Sequence, residues 1–249
     1  PEIIGLEDIY IIEGDSTLLL FELYDPEGTD MIVEITSAPP YVLLNHTPEE
    51  LSGSIEINSW FGVESEEVIV SVTDDDYLPK TTVDTFHVSI NHYPTWDGPE
   101  NYYVAEVVPD SLTISTSDVD GDGIVLQMDS ALDYVSFSVV DGLGLLSINA
   151  YEGAVTGYAY FTYYDDGNPP ASIADSIHII VNHFPTFGGL TDFHVPENDV
   201  LDTLITFYDS NDGDEFTYEI QYNPDYISWE TYGENEGVLL HISPTSSST

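Results

Sequence analysis

Apolar and polar residues alternate along short segments of the chain, most clearly in its middle third. Residues 111–116 read Ser-Leu-Thr-Ile-Ser-Thr, and residues 134–139 read Tyr-Val-Ser-Phe-Ser-Val. Alternation with a period of two gives a β-strand one buried face and one solvated face. Seven strands are predicted in this third, at residues 102–106, 111–117, 124–129, 134–140, 143–149, 158–164 and 173–182. Because no segment carries the 3.6-residue apolar stripe of an amphipathic helix, we predict an all-β fold.

The sequence repeats itself with a spacing of 91 positions. Three pairs of segments share this spacing: Thr73-Asp74-Asp75 with Tyr164-Asp165-Asp166, residues 87–92 with 178–183, and Tyr93-Pro94-Thr95-Trp96 with Phe184-Pro185-Thr186-Phe187. A Glu that precedes an Asp by 12 positions extends the repeat to a third copy, at Glu13, Glu106 and Glu197. We therefore predict three domains, at residues 1–93, 94–184 and 185–249. The third is expected to be incomplete and to lack its last two strands.

Each copy has the size and strand density of a known architecture. Seven short strands, with Asp, Gly, Asn and Pro at turns about every 8 to 12 residues, are typical of an immunoglobulin-like β-sandwich. The linker Asn91-His-Tyr-Pro94 leaves few free residues between copies, so we expect the sandwiches to lie end to end. Tandem copies usually act through their number and reach, which favours a structural role and predicts no catalytic residues.

The charge balance limits the possible binding partners and the solution conditions in which the chain is stable. The chain has 47 acidic residues against one basic residue, a net charge of −46, yet 42% of its residues are hydrophobic and 12% aromatic. It is therefore predicted to be a folded acidic protein and not a disordered acidic tail. Nucleic acid and anionic membrane surfaces are excluded as partners because almost nothing can neutralise phosphate. Carboxylates at this density repel one another, so we expect the fold to need calcium or high salt.

Asp118-Val-Asp120-Gly-Asp122-Gly123 is the most specific chemical motif. Its alternating carboxylates and glycine resemble the start of an EF-hand calcium loop. The flanking segments are predicted strands, so an EF-hand is disfavoured, but a turn with hard oxygen ligands can still bind Ca²⁺. The alternative is an ordinary Asp/Gly-rich turn whose side chains cap backbone groups.

The order of motifs within a copy carries a family resemblance. Val195-Pro-Glu197-Asn198 with Asp209-Ser-Asn211, the Asp118-Val-Asp120 motif, and the closing Ile-Val-Asn182-His-Phe-Pro resemble a cadherin-type repeat. Among cadherin-type repeats, these motifs are most similar to the bacterial cadherin-like and immunoglobulin-like repeats of large exported surface proteins. The chain departs from that pattern in lacking an Asp-Arg-Glu element and the additional linker acids.

The resemblance implies calcium at both junctions between copies. The implied ligands are Glu13, Asn91, Asp118 and Asp120 at the first junction, and Glu106, Asn182, Asp209 and Asn211 at the second. The alternative for the Glu residues is that each accepts backbone hydrogen bonds at the end of a strand.

These observations predict a non-catalytic repeat region of an extracellular, cell-surface fibre, stalk or adhesin, stiffened by calcium. Its expected partners are the neighbouring repeats, and other copies if fibres form by strand donation. Two alternatives stay open. One is a glycan- or protein-binding module, which a row of exposed aromatic side chains without a core role would favour. The other is a set of accessory repeats of a secreted hydrolase.

Overall fold

The computed structural model describes residues 1–211, 217–221, 224–233 and 236–245. All regular secondary structure in this part of the chain is β-strand, which confirms the predicted fold class. Among the described residues no helix has the length and apolar character that a bilayer span requires.

The first repeat is a sandwich of two four-stranded sheets. Its strands are β1 (Glu2–Ile4), β2 (Ile9–Ile12), β3 (Ser16–Tyr24), β4 (Met31–Ser37), β5 (Val42–Asn45), β6 (Ser52–Asn58), β7 (Glu66–Asp74) and β8 (Thr81–Asn91). The sheet orders are β1-β3-β6-β5 and β2-β8-β7-β4, and β2 runs parallel to β8 while all other neighbours are antiparallel.

The first strand of this repeat divides between the two sheets. Gly5, directly after β1, has a φ of 101°, and a Cβ at this position would lie 3.0 Å from the carbonyl oxygen of Leu20. Glycine alone adopts this backbone and allows this close approach without strain. The chain therefore leaves one sheet at Gly5 and joins the other at Ile9.

The core lies between the two sheets and follows the alternation of the strands. Val68, Val70 and Val72 on β7 are fully buried, and they share one cluster with Phe21 and Ile57. Burial of each such side chain contributes about 1.5–3 kcal/mol, so this cluster supplies much of the stability of the first repeat.

The second repeat keeps the same arrangement. Its strands are β9 (Thr95–Trp96), β10 (Asn101–Ala105), β11 (Asp110–Ile114), β12 (Thr116–Ser117), β13 (Val125–Ser130), β14 (Val135–Val140), β15 (Leu143–Ile148), β16 (Gly157–Tyr164) and β17 (Ser172–Asn182). They form sheets β10-β17-β16-β13 and β11-β15-β14, and β9 pairs with β12. The predicted seven segments all contain strand, but the count of seven is not confirmed, because 111–117 divides into β11 and β12 and because β9 adds a short edge.

The third repeat forms one sheet within the described residues. Its strands are β18 (Thr186–Gly188), β19 (Leu201–Tyr208), β20 (Ile227–Tyr232) and β21 (Gly237–Ile242), in the order β18-β19-β21-β20. This order matches β1-β3-β6-β5 of the first repeat. One face borders an apolar cleft of about 350 Å³. The absence of two further strands stays a prediction, as do the exact domain boundaries.

The first two repeats have separate hydrophobic clusters, and this separation is testable. Phe161 is fully buried in the second cluster, as Phe21 is in the first. We expect Phe161→Ala to destabilise the second repeat by about 3–5 kcal/mol because it removes a large core side chain. Calorimetry of the whole chain should show a lower unfolding temperature for the second repeat and an unchanged one for the first. Phe21→Ala should lower the unfolding temperature of the first repeat instead. A parallel shift of both transitions by either variant would contradict independent cores.

Candidate metal centre at the first junction

Asn91 ends the last strand of the first repeat and inserts its side chain into the second. Its Nδ2 donates to Asp165 Oδ1 at 3.1 Å and to the Pro169 carbonyl oxygen at 2.8 Å, both in the loop between β16 and β17. A Cβ on Gly167 would collide with the Asn91 amide. The loop therefore needs glycine at this position so that the linker side chain can enter.

His92 makes a second contact across the junction. Its backbone nitrogen donates to Asp120 Oδ2 at 2.7 Å, and its Nδ1 lies 3.0 Å from both Asp120 oxygens. Its Nε2 lies 2.9 Å from the carbonyl oxygen of Val63 in the first repeat. Although burial alone would lower it, the hydrogen bond and charge of Asp120 and the Val63 carbonyl raise the pKa of His92. With an acceptor at each ring nitrogen, the ring favours the protonated form that donates to both repeats.

The predicted aspartates come together on the loop between β12 and β13. Carboxylate oxygens of Asp118, Asp120 and Asp122 lie within 4.8 Å of one another. The Asp120 backbone nitrogen donates to Asp118 Oδ1 at 2.7 Å. Asp118 therefore caps a backbone group of the turn, as the alternative of an ordinary Asp/Gly-rich turn predicts. Burial, and then the charges of Asp118, Asp120, Asp165 and Asp166, raise the pKa of Asp122. Five carboxylates thus share one electrostatic neighbourhood.

Two carboxylate oxygens at this junction are buried without a hydrogen-bond partner. They are Asp118 Oδ2 and Asp165 Oδ2, and no other side-chain nitrogen or oxygen in the described residues is in this position. Asp165 is only 2% exposed, and its other oxygen accepts from Asn91 Nδ2 and from the nitrogens of Gly167 and Ala171. A buried anionic oxygen without a donor costs free energy that a bound cation would recover.

Asp165 was not among the sequence-predicted ligands. The sequence marks it only as part of a repeated Asp-Asp turn, 43 or more positions beyond Asp118 to Asp122. The pairing of β13 with β16 brings the two loops together. The one sequence signal for a role of this carboxylate was its recurrence as Asp74. The structure shows that both side chains are buried.

Glu13 and Glu106 hold the linkers through backbone hydrogen bonds. Glu13 accepts from the nitrogens of Gly62 and Tyr93, at 2.9 and 3.0 Å. Glu106 accepts from the nitrogens of Gly153 and Phe184, at 2.9 and 2.8 Å, and from His183 Nδ1 at 2.9 Å. This geometry supports the strand-end alternative for both residues. The structure does not group either one with the aspartate cluster, so their role as metal ligands stays a prediction.

Within the described residues, the second junction differs from the first. Asn211 stands where Asp120 stands, and it accepts from the His183 nitrogen at 2.7 Å while its Nδ2 donates to the Val181 carbonyl oxygen at 2.8 Å. Asp209 accepts from the Asn211 nitrogen, and Asn182 is exposed. In the described residues, no group of three potential metal ligands includes these side chains. Asp212 and Gly213 of this loop lie outside the described residues.

Solved structures share the architecture of the chain. No family model and no curated protein matches the sequence. The I-band fragment I67–I69 from titin superposes with a TM-score of 0.50 and 8% identity over 97% of this chain and 87% of that structure, and its E-to-A variant gives 0.51 over the same shares. The chain has the fold of tandem immunoglobulin-like domains. The protocadherin gammaB4 extracellular domain has a TM-score of 0.45 and 16% identity, over 100% of this chain and 47% of that one. At these identities the immunoglobulin-like likeness concerns the fold alone.

The hydrogen bonds that Glu106 accepts at the second linker predict that the stability of the fold depends on pH. The backbone nitrogens of Phe184 and Gly153, and then His183, lower the pKa of Glu106 from 4.5 to about 2. A depressed pKa in the folded state stabilises the fold fully above the ordinary pKa, and this stabilisation is lost as the pH falls towards the folded value. Glu106→Gln should therefore melt at a lower temperature than the parent at pH 7. The difference should shrink between about pH 4.5 and pH 2.

Thermal melts across this pH range provide the measurement. Glu67→Gln is the matched control, because Glu67 is exposed and its carboxylate makes no hydrogen bond to a described residue. A Glu106→Gln deficit that stays constant from pH 7 to pH 2 would show that the side chain acts through its shape and not through its charge.

Proposed function

We propose that this chain is a non-catalytic repeat region of an extracellular surface fibre, stalk or adhesin, whose first junction is stiffened by calcium. The tandem immunoglobulin-like fold supports a structural or adhesion-type module. The one observation that carries the proposal is the insertion of Asn91 and His92 into loops of the second repeat. Such contacts oppose bending at the linker, which is the property a spacer needs.

Calcium fits the donors at this junction. Ca²⁺ takes six to eight oxygen ligands from carboxylates, amide carbonyls, backbone carbonyls and water. Asp118, Asp120, Asp122 and Asp165 would supply carboxylates, and Asn91 would supply an amide oxygen from the first repeat. The partnerless Oδ2 atoms of Asp118 and Asp165 support this set. A bound ion would offset the repulsion among the carboxylates and add a bond between the repeats.

A calcium titration tests the metal. Extracellular modules bind Ca²⁺ with a dissociation constant of about 10⁻⁴ to 10⁻³ M, and tenfold excess over that constant stabilises the folded state by about 1.4 kcal/mol. We expect calcium to raise the melting temperature of the second repeat by several degrees at constant ionic strength. Asp118→Asn with Asp165→Asn should abolish this increase.

Asp209→Asn at the second junction is the control for that titration and should leave the increase unchanged. Equal melting of the parent with calcium and with a chelator would contradict the metal site. The aspartates would then form an ordinary turn, and the acidity of the chain would be an adaptation to salt.

Small-angle scattering tests the spacer. Three sandwiches of about 40 Å end to end give a maximum dimension on the order of 100 Å. A compact globule of this length has a radius of gyration of about 18 Å and a maximum dimension of only about 50 Å. We expect an elongated particle whose flexibility falls when calcium is added. A compact particle with the repeats side by side would contradict a spacer, even if calcium binds.

Two parts of the proposal concern partners. The apolar cleft on the third sheet is lined by residues such as Phe187, Ile205 and Val238. It would accept strands from a neighbouring copy, which is how strand donation builds fibres.

The alternative function is a set of accessory repeats of a secreted hydrolase. The parent reading frame distinguishes a surface fibre from a hydrolase because it shows whether a catalytic domain accompanies the repeats.

A further inference from the structure

The outer face of sheet β10-β17-β16-β13 carries exposed rings. Along β16 the alternation directs Ala159, Phe161 and Tyr163 into the core, whereas Tyr158 and Tyr160 face solvent. These two tyrosines are 47% and 50% exposed. Apolar ring faces left in water at adjacent positions often mark a binding surface.

The exposed rings stack on one another. His178 on β17 lies opposite Tyr158, with ring centroids 4.5 Å apart and planes 16° from parallel. Tyr158 and Tyr160 have centroids 5.9 Å apart and planes 29° from parallel. We call Tyr158, Tyr160 and His178 the aromatic platform. None of the three belongs to the hydrophobic cluster of the second repeat, so the platform has no core role.

A polar cleft of about 430 Å³ adjoins the platform. Besides Tyr158 and His178, its lining includes Glu100, Asn101, Asp175 and Ser176. Asn101 Oδ1 lies 3.2 Å from His178 Nδ1 and orients that ring, while Trp96 Nε1 donates to Asp175 Oδ2 at 2.8 Å. The Glu100 carboxylate and the Asn101 Nδ2 make no hydrogen bond to any described residue. The cleft thus presents an acceptor and a donor beside a flat apolar surface.

This combination complements a sugar ring, which has an apolar C–H face and a rim of hydroxyl groups that donate and accept. We propose that the aromatic platform and its cleft bind a neutral polysaccharide. The net charge of −46, and the Glu and Asp residues in the cleft, would repel an anionic glycan. A proline-rich peptide also stacks on tyrosine, but proline lacks an N–H group and would leave the Glu100 carboxylate without a donor.

The first repeat supplies an internal comparison. At the positions 91 earlier it has Glu67, Ile69 and His87 where the second repeat has Tyr158, Tyr160 and His178. Residue 8 lies opposite His87, as Asn101 lies opposite His178, so Asp8 stands at the position of Asn101. Asp8 Oδ1 accepts from the His87 backbone nitrogen. The first repeat therefore has the histidine but not the stacked tyrosines, so we expect saccharide binding at the second repeat alone.

Calorimetric titration of the whole chain with cellohexaose, xylohexaose, mannohexaose and laminarihexaose tests the proposal. At least one of these neutral hexasaccharides should bind, and an alginate hexasaccharide should not. Replacing Tyr158→Glu together with Tyr160→Ile installs the residues of the first repeat and should weaken binding by about tenfold or more. Tyr158→Phe should retain binding because it keeps the ring. Tyr10→Ala, at an exposed tyrosine of the first repeat, is the control and should leave affinity unchanged.

The result is independent of the calcium site and of the shape of the particle. Both exchanged tyrosines are solvent-exposed, so melting of the double variant should confirm that it is folded. The proposal is overturned if no neutral hexasaccharide binds, if alginate binds as tightly, or if the double variant binds like the parent. Binding of a proline-rich peptide in place of every saccharide would also overturn it.

Discussion

The junction between the first two repeats depends on how the buried carboxylate of Asp165 is satisfied. One of its oxygens accepts from two backbone nitrogens of its own loop and from the Asn91 amide of the preceding repeat. A carboxylate so deeply buried is costly unless donors surround it. The loop therefore needs the linker side chain, and the linker is fixed in position because it satisfies the loop. The relative orientation of the two repeats follows from this exchange, and the proposed spacer role and calcium site depend on it.

The acidity of the chain has two different consequences. Most of its carboxylates lie on the surface, where water and salt screen them and where each contributes little to stability. A few are buried at the junctions, and their environments differ. Glu106 is surrounded by donors, which lower its pKa to about 2, whereas burial and then the charges of neighbouring carboxylates raise the pKa of Asp122. The Glu106 carboxylate has hydrogen-bond donors and needs no ion. The carboxylates around Asp122 repel one another, and a bound cation would offset this repulsion.

The repeats are similar in fold and different in their surfaces. The core alternation is the same in the first two, but the outer face of the second carries Tyr158 and Tyr160 where the first has Glu67 and Ile69. Likewise the first junction has Asp120 where the second has Asn211. A tandem protein can thus keep one scaffold while individual copies acquire separate binding roles, because solvent-facing positions contribute little to the core.

The sequence by itself determined the all-β fold and predicted the chain positions of the repeats. Period-two alternation depends only on neighbouring residues, so strands such as β14 and β16 could be located without a structure. The closeness of Asp118, Asp120 and Asp122 was likewise local, because three carboxylates on one turn cannot separate far.

Only the tertiary structure decided which distant groups meet. Asp165 joins the aspartate cluster through the pairing of β13 with β16, and Tyr158 stacks on His178 through the register of β16 with β17. Glu13 proved to accept from the backbone of Gly62 and Tyr93, a role that its sequence neighbours do not reveal. Strand register and loop approach fix these contacts, and both depend on how the whole core packs. Residues 20 to 80 positions apart leave no local periodic signal, so the sequence could name candidates but could not choose between a ligand and a cap.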